Sequence, residues 1–410
     1  MGKQKSLKSI PTKMTNKAPY LAVGITVGVP LAIYGLFLSL SAIPFFQRHF
    51  LYAHKFSTIW WPGVNLNEPE RWGFAKNQAT PFTLTTADNQ TLHAWHILPL
   101  SVYHQHEATL TTQPTGSIQD ITGTQNFKLL RDDPTSRLII SFHGNAGHLL
   151  QSLRPRLYHT LSSSSSTYHV LALSYRGFGH STGSPTETGL ILDAATAIDF
   201  AIKTAGIPPS RIVLLGHSLG TAVASGVSEL YTLREGVDFA GVVLVAAFST
   251  LPKMLSGYSI AGFVPVLRPL VWWPWLLEKV MDRVVDKWDS AGRWGRIVKE
   301  VKKGERRLRL SLVHAKNDWD IPCHEDDKLF RAAIGGLVED ERVVEEDGEW
   351  FEQEKEARTV RQGKDAFVST WSEADVEVRQ ELVPWGGHND VAFSAPVLLA
   401  IMRAFDNDGS

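Results

Sequence analysis

Apolar residues along the chain fall into distinct patterns, and the first is a long run without charge. No charged residue occurs between Lys17 and Arg48, and Tyr20 to Phe46 is dominated by Leu, Ile, Val, Ala, Gly and Phe. About 20 apolar residues cross a hydrocarbon core of roughly 30 Å. The apolar part of a cleaved leader usually holds only about 7–15 residues. The run therefore predicts a membrane anchor over residues 18–47. Pro30 would kink the helix, which membrane helices tolerate, and Ser39-Leu40-Ser41-Ala42 leaves a cleaved leader as the alternative. Lys3, Lys5, Lys8, Lys13 and Lys17 precede the run, whereas only Arg48 and Lys55 follow closely. Excess positive charge stays on the cytosolic side. Residues 1–17 are thus expected as a cytosolic tail, with everything after residue 48 across the membrane.

Beyond the anchor the pattern shortens. Phe82–Thr86 and Thr91–Leu98 alternate apolar and polar positions around Asp88-Asn89, which predicts a β-hairpin. A polar stretch from Ser101 to Thr135 reads as a surface insertion. Short continuous apolar runs then follow at Leu138–Phe142, Val170–Ser174, Ile212–Leu215, Phe239–Ala247 and Leu308–His314. Such runs suit strands buried on both faces, as in a parallel sheet covered by helices. Ser184-Pro185-Thr186-Glu187 reads as a helix start, with Ser184 as cap and Glu187 closing a capping box, a structural role. The fold class is α/β, and a site in such a sheet lies at the carboxyl ends of its strands.

Composition narrows the possibilities. The 410 residues carry 41 Lys+Arg against 42 Asp+Glu, a net charge of -1. That balance argues against a nucleic-acid partner, which calls for a basic excess. A single cysteine excludes an intrachain disulfide framework and a Cys-rich zinc site. Neutrality nevertheless conceals local imbalance. Residues 268–309 hold 12 Lys/Arg against six Asp/Glu, and Glu339 to Glu356 holds ten acidic residues, expected as a solvated loop within an insertion over 338–378. Asn89-Gln90-Thr91 is a glycosylation sequon, usable on the lumenal side.

Gly-x-Ser-x-Gly occurs twice, around Ser181 and around Ser218. A nucleophile elbow needs a strand ending at the first glycine and a helix starting just after the serine. Ser218 meets both conditions: Ile212–Leu215 precedes it, and Thr221-Ala222-Val223-Ala224 continues as a helix of small residues. Ser181 lies several residues past its strand and meets Ser184-Pro185 at once, which makes it a loop serine. A serine hydroxyl needs a base, and in this architecture the acid and then the histidine follow the serine. Past residue 318 only His324 and His388 remain. His388 sits in the turn-forming Gly386-Gly387-His388-Asn389-Asp390, while His324 opens an acidic helix start. Asp318 and Asp320 both follow the last apolar strand, and charge alone does not separate them. An oxyanion needs two backbone N–H donors. Leu219, next after the serine, supplies one, and the glycine-flanked loop His143-Gly144-Asn145-Ala146-Gly147 supplies the other, with Asn145 the favoured donor.

The runs His143-Gly144-Asn145-Ala146-Gly147, Ser174-Tyr175-Arg176-Gly177-Phe178-Gly179, Pro185-Thr186-Glu187 and Gly216-His217-Ser218-Leu219-Gly220-Thr221 resemble those of the membrane-anchored α/β-hydrolase domain-containing lipases. His314…Asp318…Pro322 and Gly387-His388-Asn389-Asp390 fit as well, so that the likeness spans residues 80–404. The resemblance implies an α/β-hydrolase fold with a helical lid, a triad of Ser218, Asp318 and His388, and oxyanion donors Asn145 and Leu219. It also implies a single anchor, an endoplasmic-reticulum lumenal domain, and a lipid ester substrate such as a lysophospholipid or monoacylglycerol, with no metal or cofactor. The 101–135 and 338–378 segments look longer than the family core.

The segment between two core strands, 252–304, is expected to be the lid. Trp272, Trp273, Trp275, Trp288 and Trp294 cluster there, and tryptophan favours the membrane–water interface. Trp272 and Trp273 are the candidate lipid contacts, and the local basic excess suits anionic headgroups. An acyl-protein thioesterase with a cytosolic face and a catalytically silent anchored scaffold are the alternatives. The sequence identifies no protein partner.

Overall fold

The structure is a computed structural model that describes residues 24–260, 264–338 and 348–406. The expected basic tail, 1–17, lies outside the described residues, as do the first residues of the anchor. The chain divides between Gln47 and Arg48 into a small N-terminal unit and a large one. In the small unit a wide turn, Gly24–Gly28, leads into helix Val29–Ser41, which has no buried residue. Among the described residues no single helix is long and apolar enough to cross a membrane. Thr26–Ser41 and Pro44–Tyr52 reach that length and composition only together, as a bent pair.

Among the described residues the large unit holds one sheet of ten strands: β1 (Ala79–Thr85), β2 (Thr91–Ile97), β3 (Arg137–Phe142), β4 (Tyr168–Leu173), β5 (Ile212–His217), β6 (Gly241–Val245), β7 (Leu308–Ala315), β8 (Thr359–Arg361), β9 (Phe367–Glu373) and β10 (Val376–Val383). Their order across the sheet is β1-β2-β4-β3-β5-β6-β7-β10-β9-β8. The six central strands run parallel, and antiparallel strands close each edge. Leu138, Ile139, Ile140, Leu214, Val243 and Leu244 are buried, as continuous apolar runs require of strands covered on both faces. The β1–β2 hairpin turns where expected. Asn89 adopts φ 61°, and Thr86 donates to Asp88 across the turn.

Helices α1 (Arg154–Ser164), α2 (Glu187–Asp199), α3 (Leu219–Glu229), α4 (Ser290–Lys303), α5 (His324–Val338) and α6 (Ala395–Phe405) flank the sheet. α2, α3, α4 and α5 pack side by side in one layer. Leu157, Tyr158 and Leu161 of α1 join Val397, Ile401 and Phe405 of α6 in the core of the opposite face. The Arg176 guanidinium ties the turn and a helix together. It donates to Asp193 of α2 at 2.9 Å and to Asp88 at 2.7 Å, which gives the Ser174–Gly179 motif a structural role.

Three expectations about segments change. The cap of α2 is Thr186, whose hydroxyl accepts from Gly189 N at 3.0 Å, and Glu187 is the first helical residue. Ser184 precedes a proline, which biases it to extended backbone and pushes the helix start onward. Glu187 keeps a structural role, accepting from Trp288 N and Arg293.

The 338–378 segment is no simple acidic loop. Residues 339–347 lie outside the described residues, but Glu349–Ala357 is a helix, and β8, β9 and the start of β10 follow. Phe351 buries its ring against Phe330, while Arg331–Glu352 and Lys355–Asp327 pairs offset the acidic charge.

The segment 252–304, expected as a lid, does not hold together as one unit, because α4 belongs to the core. Trp294, Ile297, Val298 and Val301 recur at helical spacing on its buried face. Trp294 Nε1 donates to Ser225 Oγ and Trp288 Nε1 to the Tyr52 hydroxyl, so these two tryptophans tie this part of the segment to the core. Leu251–Gly257, a short ribbon pairing Ser259–Ile260 with Val264–Pro265, a tight turn at Arg268–Trp272, and helix Pro274–Asp282 make up the remainder. There Trp272, Trp273 and Trp275 are exposed. The 101–135 segment carries helices Leu100–Leu110 and Gln125–Arg131, which bury Tyr103, Leu110, Phe127 and Leu130.

Candidate active site

The carboxyl ends of the central strands bring three expected side chains together. β5 ends in a sharp turn at Ser218, whose φ of 54° and ψ of -120° few side-chain-bearing residues adopt. Two glycines make the turn possible. A Cβ on Gly220 would lie 2.0 Å from the Phe142 carbonyl oxygen, and one on Gly216 would lie 2.4 Å from the Gly220 carbonyl oxygen. Strand and helix can therefore approach only with bare backbone at these positions.

Ser218 Oγ lies 2.9 Å from His388 Nε2, and His388 Nδ1 lies 2.8 Å from Asp318 Oδ2. The carboxylate can only accept, so Nδ1–H donates to it, and Nε2 is left to accept the serine proton. Asp318 follows β7 and is buried; its second oxygen accepts from the Asp320 and Ile321 amides, both at 2.9 Å. Asp320 is thus a neighbour that steadies Asp318, not a second acid on His388. Glycines 386 and 387 take φ values of 133° and 54°, which turn the chain so that His388 points back to Ser218. His217 Nε2 donates to the His388 carbonyl at 2.7 Å, and burial, with His388 beside it, lowers the His217 pKa to about 3. It is a neutral strut.

Behind Asp318 stands a buried histidine that sequence reasoning used only as part of a motif. His314 Nε2 is 3.3 Å from Asp318 Oδ2, and its Nδ1 is 3.7 Å from Asp326 Oδ1. Burial alone would lower its pKa, but the nearby Asp318 and Asp326 carboxyls outweigh burial and raise it to about 10. Burial likewise opposes ionisation of Asp318, yet His314 and His388 hold its carboxyl well below the usual range.

The loop after β3 lies against the serine, since a Cβ on Gly144 would come within 3.2 Å of Ser218 Cβ. Four of its carbonyls and two of its amides are engaged. The Tyr175 hydroxyl donates to His143 O, and Arg154 donates to Gly144 O, Asn145 O, Ala146 O and His148 O. Ala146 N donates to Tyr52 O, Gly147 N to Phe56 O, and the Asn145 side chain to Leu51 O at 2.7 Å. No described residue accepts from the Asn145 N–H. The Leu219 N–H is the first in its helix and has no intrahelical acceptor.

Ser181 stands apart. Its hydroxyl donates to Ser174 O at 2.7 Å and accepts from His93 N at 2.9 Å, so it is spent on holding its loop. His324 and Asp390 are exposed, outside the cluster.

Residues 139–400 match the alpha/beta hydrolase family. The chain belongs to this family. Among curated relatives of this hydrolase, human protein ABHD12B is 31% identical over 208 residues, covering 50% of the chain and 52% of the relative. The lysophosphatidylserine lipase ABHD12 of Xenopus tropicalis is 26% identical over 270 residues, covering 66% and 61%. The hydrolase thus spans less than two thirds of the length of either. A crystal structure of an alpha-beta hydrolase from Vibrio vulnificus matches at TM-score 0.49 and 16% identity, over 71% of this chain and 82% of that one.

Leu51, Tyr52, Phe56 and Arg154 were not singled out in the sequence. They support the site through backbone contacts made across folded distance, and no short motif signals such contacts.

Proposed function

We propose that this alpha/beta hydrolase is a membrane-anchored serine hydrolase that cleaves carboxylic esters of lipids, lysophospholipids or monoacylglycerols, through an acyl-enzyme. The hydrogen-bonded series Ser218–His388–Asp318 on a strained elbow carries the reading. In the proposed mechanism His388 takes the Ser218 proton as Oγ attacks the ester carbonyl. The Asn145 and Leu219 N–H groups receive the oxyanion. His388 then protonates the departing alcohol and later activates a water, while Asp318 orients the imidazole and stabilises its cation. The mechanism calls for no metal or cofactor.

The lipid substrate is supported by the lipase named among the relatives and by the exposed Trp272 and Trp273, which would meet the acyl-bearing surface. The anchor is supported by the charge-free run after Lys17 and by the unburied apolar face of Val29–Ser41. A lumenal catalytic unit in the endoplasmic reticulum agrees with the lysine-rich tail before the apolar run, and the Asn89 sequon is exposed at a hairpin tip where a glycan could be attached.

Fluorophosphonate labelling of the full chain in membranes, wild type against Ser218→Ala, tests the reading, followed by turnover of lysophospholipids and monoacylglycerols. Ser218→Ala is expected to abolish labelling and to lower kcat by about 10⁶-fold, the scale of a lost nucleophile. Wild-type protein that neither labels nor turns over an ester refutes it.

A further inference from the structure

Arg154 is in an unfavourable place for its charge. It is the first residue of α1, where the positive end of the helix dipole disfavours a cation. Among the described residues it makes no ion pair, and burial lowers its pKa to about 10, with Tyr158, Tyr175, His143, His148 and His217 the titratable groups around it. What it has are carbonyls. Nη2 donates to Gly144 O at 2.9 Å and to Asn145 O at 2.7 Å, and Nη1 donates to Ala146 O at 3.0 Å and to His148 O.

One planar peptide joins the Gly144 carbonyl to the Asn145 N–H. In a trans peptide these two groups point in opposite directions. A donor that fixes the Gly144 oxygen therefore fixes the direction of the Asn145 hydrogen as well. His143 Nδ1, which also donates to Gly144 O at 2.7 Å, reinforces that setting. On the other side of the loop, Gly144 rests against Ser218 and the Ala146 and Gly147 amides are held by Tyr52 and Phe56 carbonyls. The planar guanidinium, with donors in a fixed fork, is suited to holding several carbonyls at once; an ammonium is a point charge.

We infer that Arg154 is a positioning residue for the reaction: its four carbonyl contacts set the loop so that the Asn145 N–H faces the developing oxyanion. The inference rests on the serine-hydrolase reading above. Arg154 touches no reacting atom, so its removal should weaken transition-state binding while leaving substrate binding largely intact.

The test compares full-length wild type, Arg154→Met and Arg154→Lys on a short soluble ester, with affinity for an alkyl trifluoromethyl ketone measured alongside. The hemiketal oxygen of that inhibitor occupies the oxyanion position. Arg154→Met is expected to lower kcat by about 10²-fold, the scale of one lost oxyanion donor. KM should stay within about threefold, because uniform binding is not affected. Inhibitor affinity should fall in step with kcat, and Arg154→Lys should lie between the two. A wild type inert toward esters would sink the functional reading itself. With an active wild type, unchanged kcat in Arg154→Met, or a rise in KM alone, overturns the positioning role. Failure of both variants to fold overturns it too, by assigning Arg154 to stability.

Discussion

The imidazole of His314 is the group whose removal should cost this hydrolase most stability for one polar substitution. It is fully buried, with Asp318 at 3.3 Å and Asp326 at 3.7 Å, and its Nε2 also lies 3.0 Å from the Ile321 carbonyl. At an effective dielectric constant near 20, attraction between unit charges is about 5 kcal/mol at the 3.3 Å separation from Asp318, whereas burial pushes the Asp326 carboxyl up and weakens its share. Desolvation of the three groups offsets much of that gain. Removing one member of a buried pair leaves the others uncompensated, and the expected loss in His314→Gln is about 3–5 kcal/mol. The pH dependence should change as well. A histidine raised to about 10 in the folded state contributes stability that is fully present below its unfolded value near 6.5 and is lost as pH rises through 10. Asp318 works at the other end. Its depressed pKa gives stability above the unfolded carboxylate value that is lost as pH falls through the lower folded one. Equilibrium unfolding in guanidinium from about pH 2 to about pH 11 spans both effects. Wild type should weaken steadily above pH 6.5, and His314→Gln should start weaker and lack that alkaline decline. A variant within about 1 kcal/mol of wild type, with the same alkaline slope, would refute a buried cation at His314.

Two further substitutions separate neighbouring readings. Ser181→Ala should retain fluorophosphonate labelling while losing about 1–3 kcal/mol of stability, since its two buried partners, Ser174 O and His93 N, go unpaired. Lost labelling with an intact fold would reopen the question of which serine reacts. The double change Trp272→Ala with Trp273→Ala should lower turnover of lipid presented in vesicles while sparing a short soluble ester, with melting temperature nearly unchanged because both rings are exposed. Equal loss on both substrates would remove the interfacial role.

The sequence was most informative where backbone geometry leaves few choices. Apolar runs buried on both faces located β3 to β7 within a residue or two, and the elbow around Ser218 was legible because only glycine fits at 216 and 220. His388 followed from chain order and Asp318 from family likeness. Chain order says nothing of the part Asp320 plays, which is to donate its amide N–H to Asp318. Composition misled in the segment 252–304, where five tryptophans looked alike. Periodicity along α4 assigns Trp294 to the core, and a hydrogen bond to Tyr52 holds Trp288 there, so only Trp272, Trp273 and Trp275 remain outside. Charge misled at 338–378, since an acidic segment can still fold once Phe351 is buried and basic partners face it. Arg154 and the carbonyls at 51, 52 and 56 had no sequence signal, because their partners are backbone atoms brought near by folding.

Those three carbonyls bear on how the enzyme can be handled. Leu51, Tyr52 and Phe56 follow the apolar N-terminal run closely, yet their oxygens hold the Asn145 side chain and the Ala146 and Gly147 amides, and the Tyr52 hydroxyl donates to Asp286. A shortened, more soluble form is most easily made by cutting away everything greasy at the N-terminus. Cutting past Arg48 begins to remove the acceptors themselves, so a preparation trimmed for solubility could purify well, melt sharply and still turn over slowly. The start of the shortened chain therefore has to be chosen by activity, not by yield.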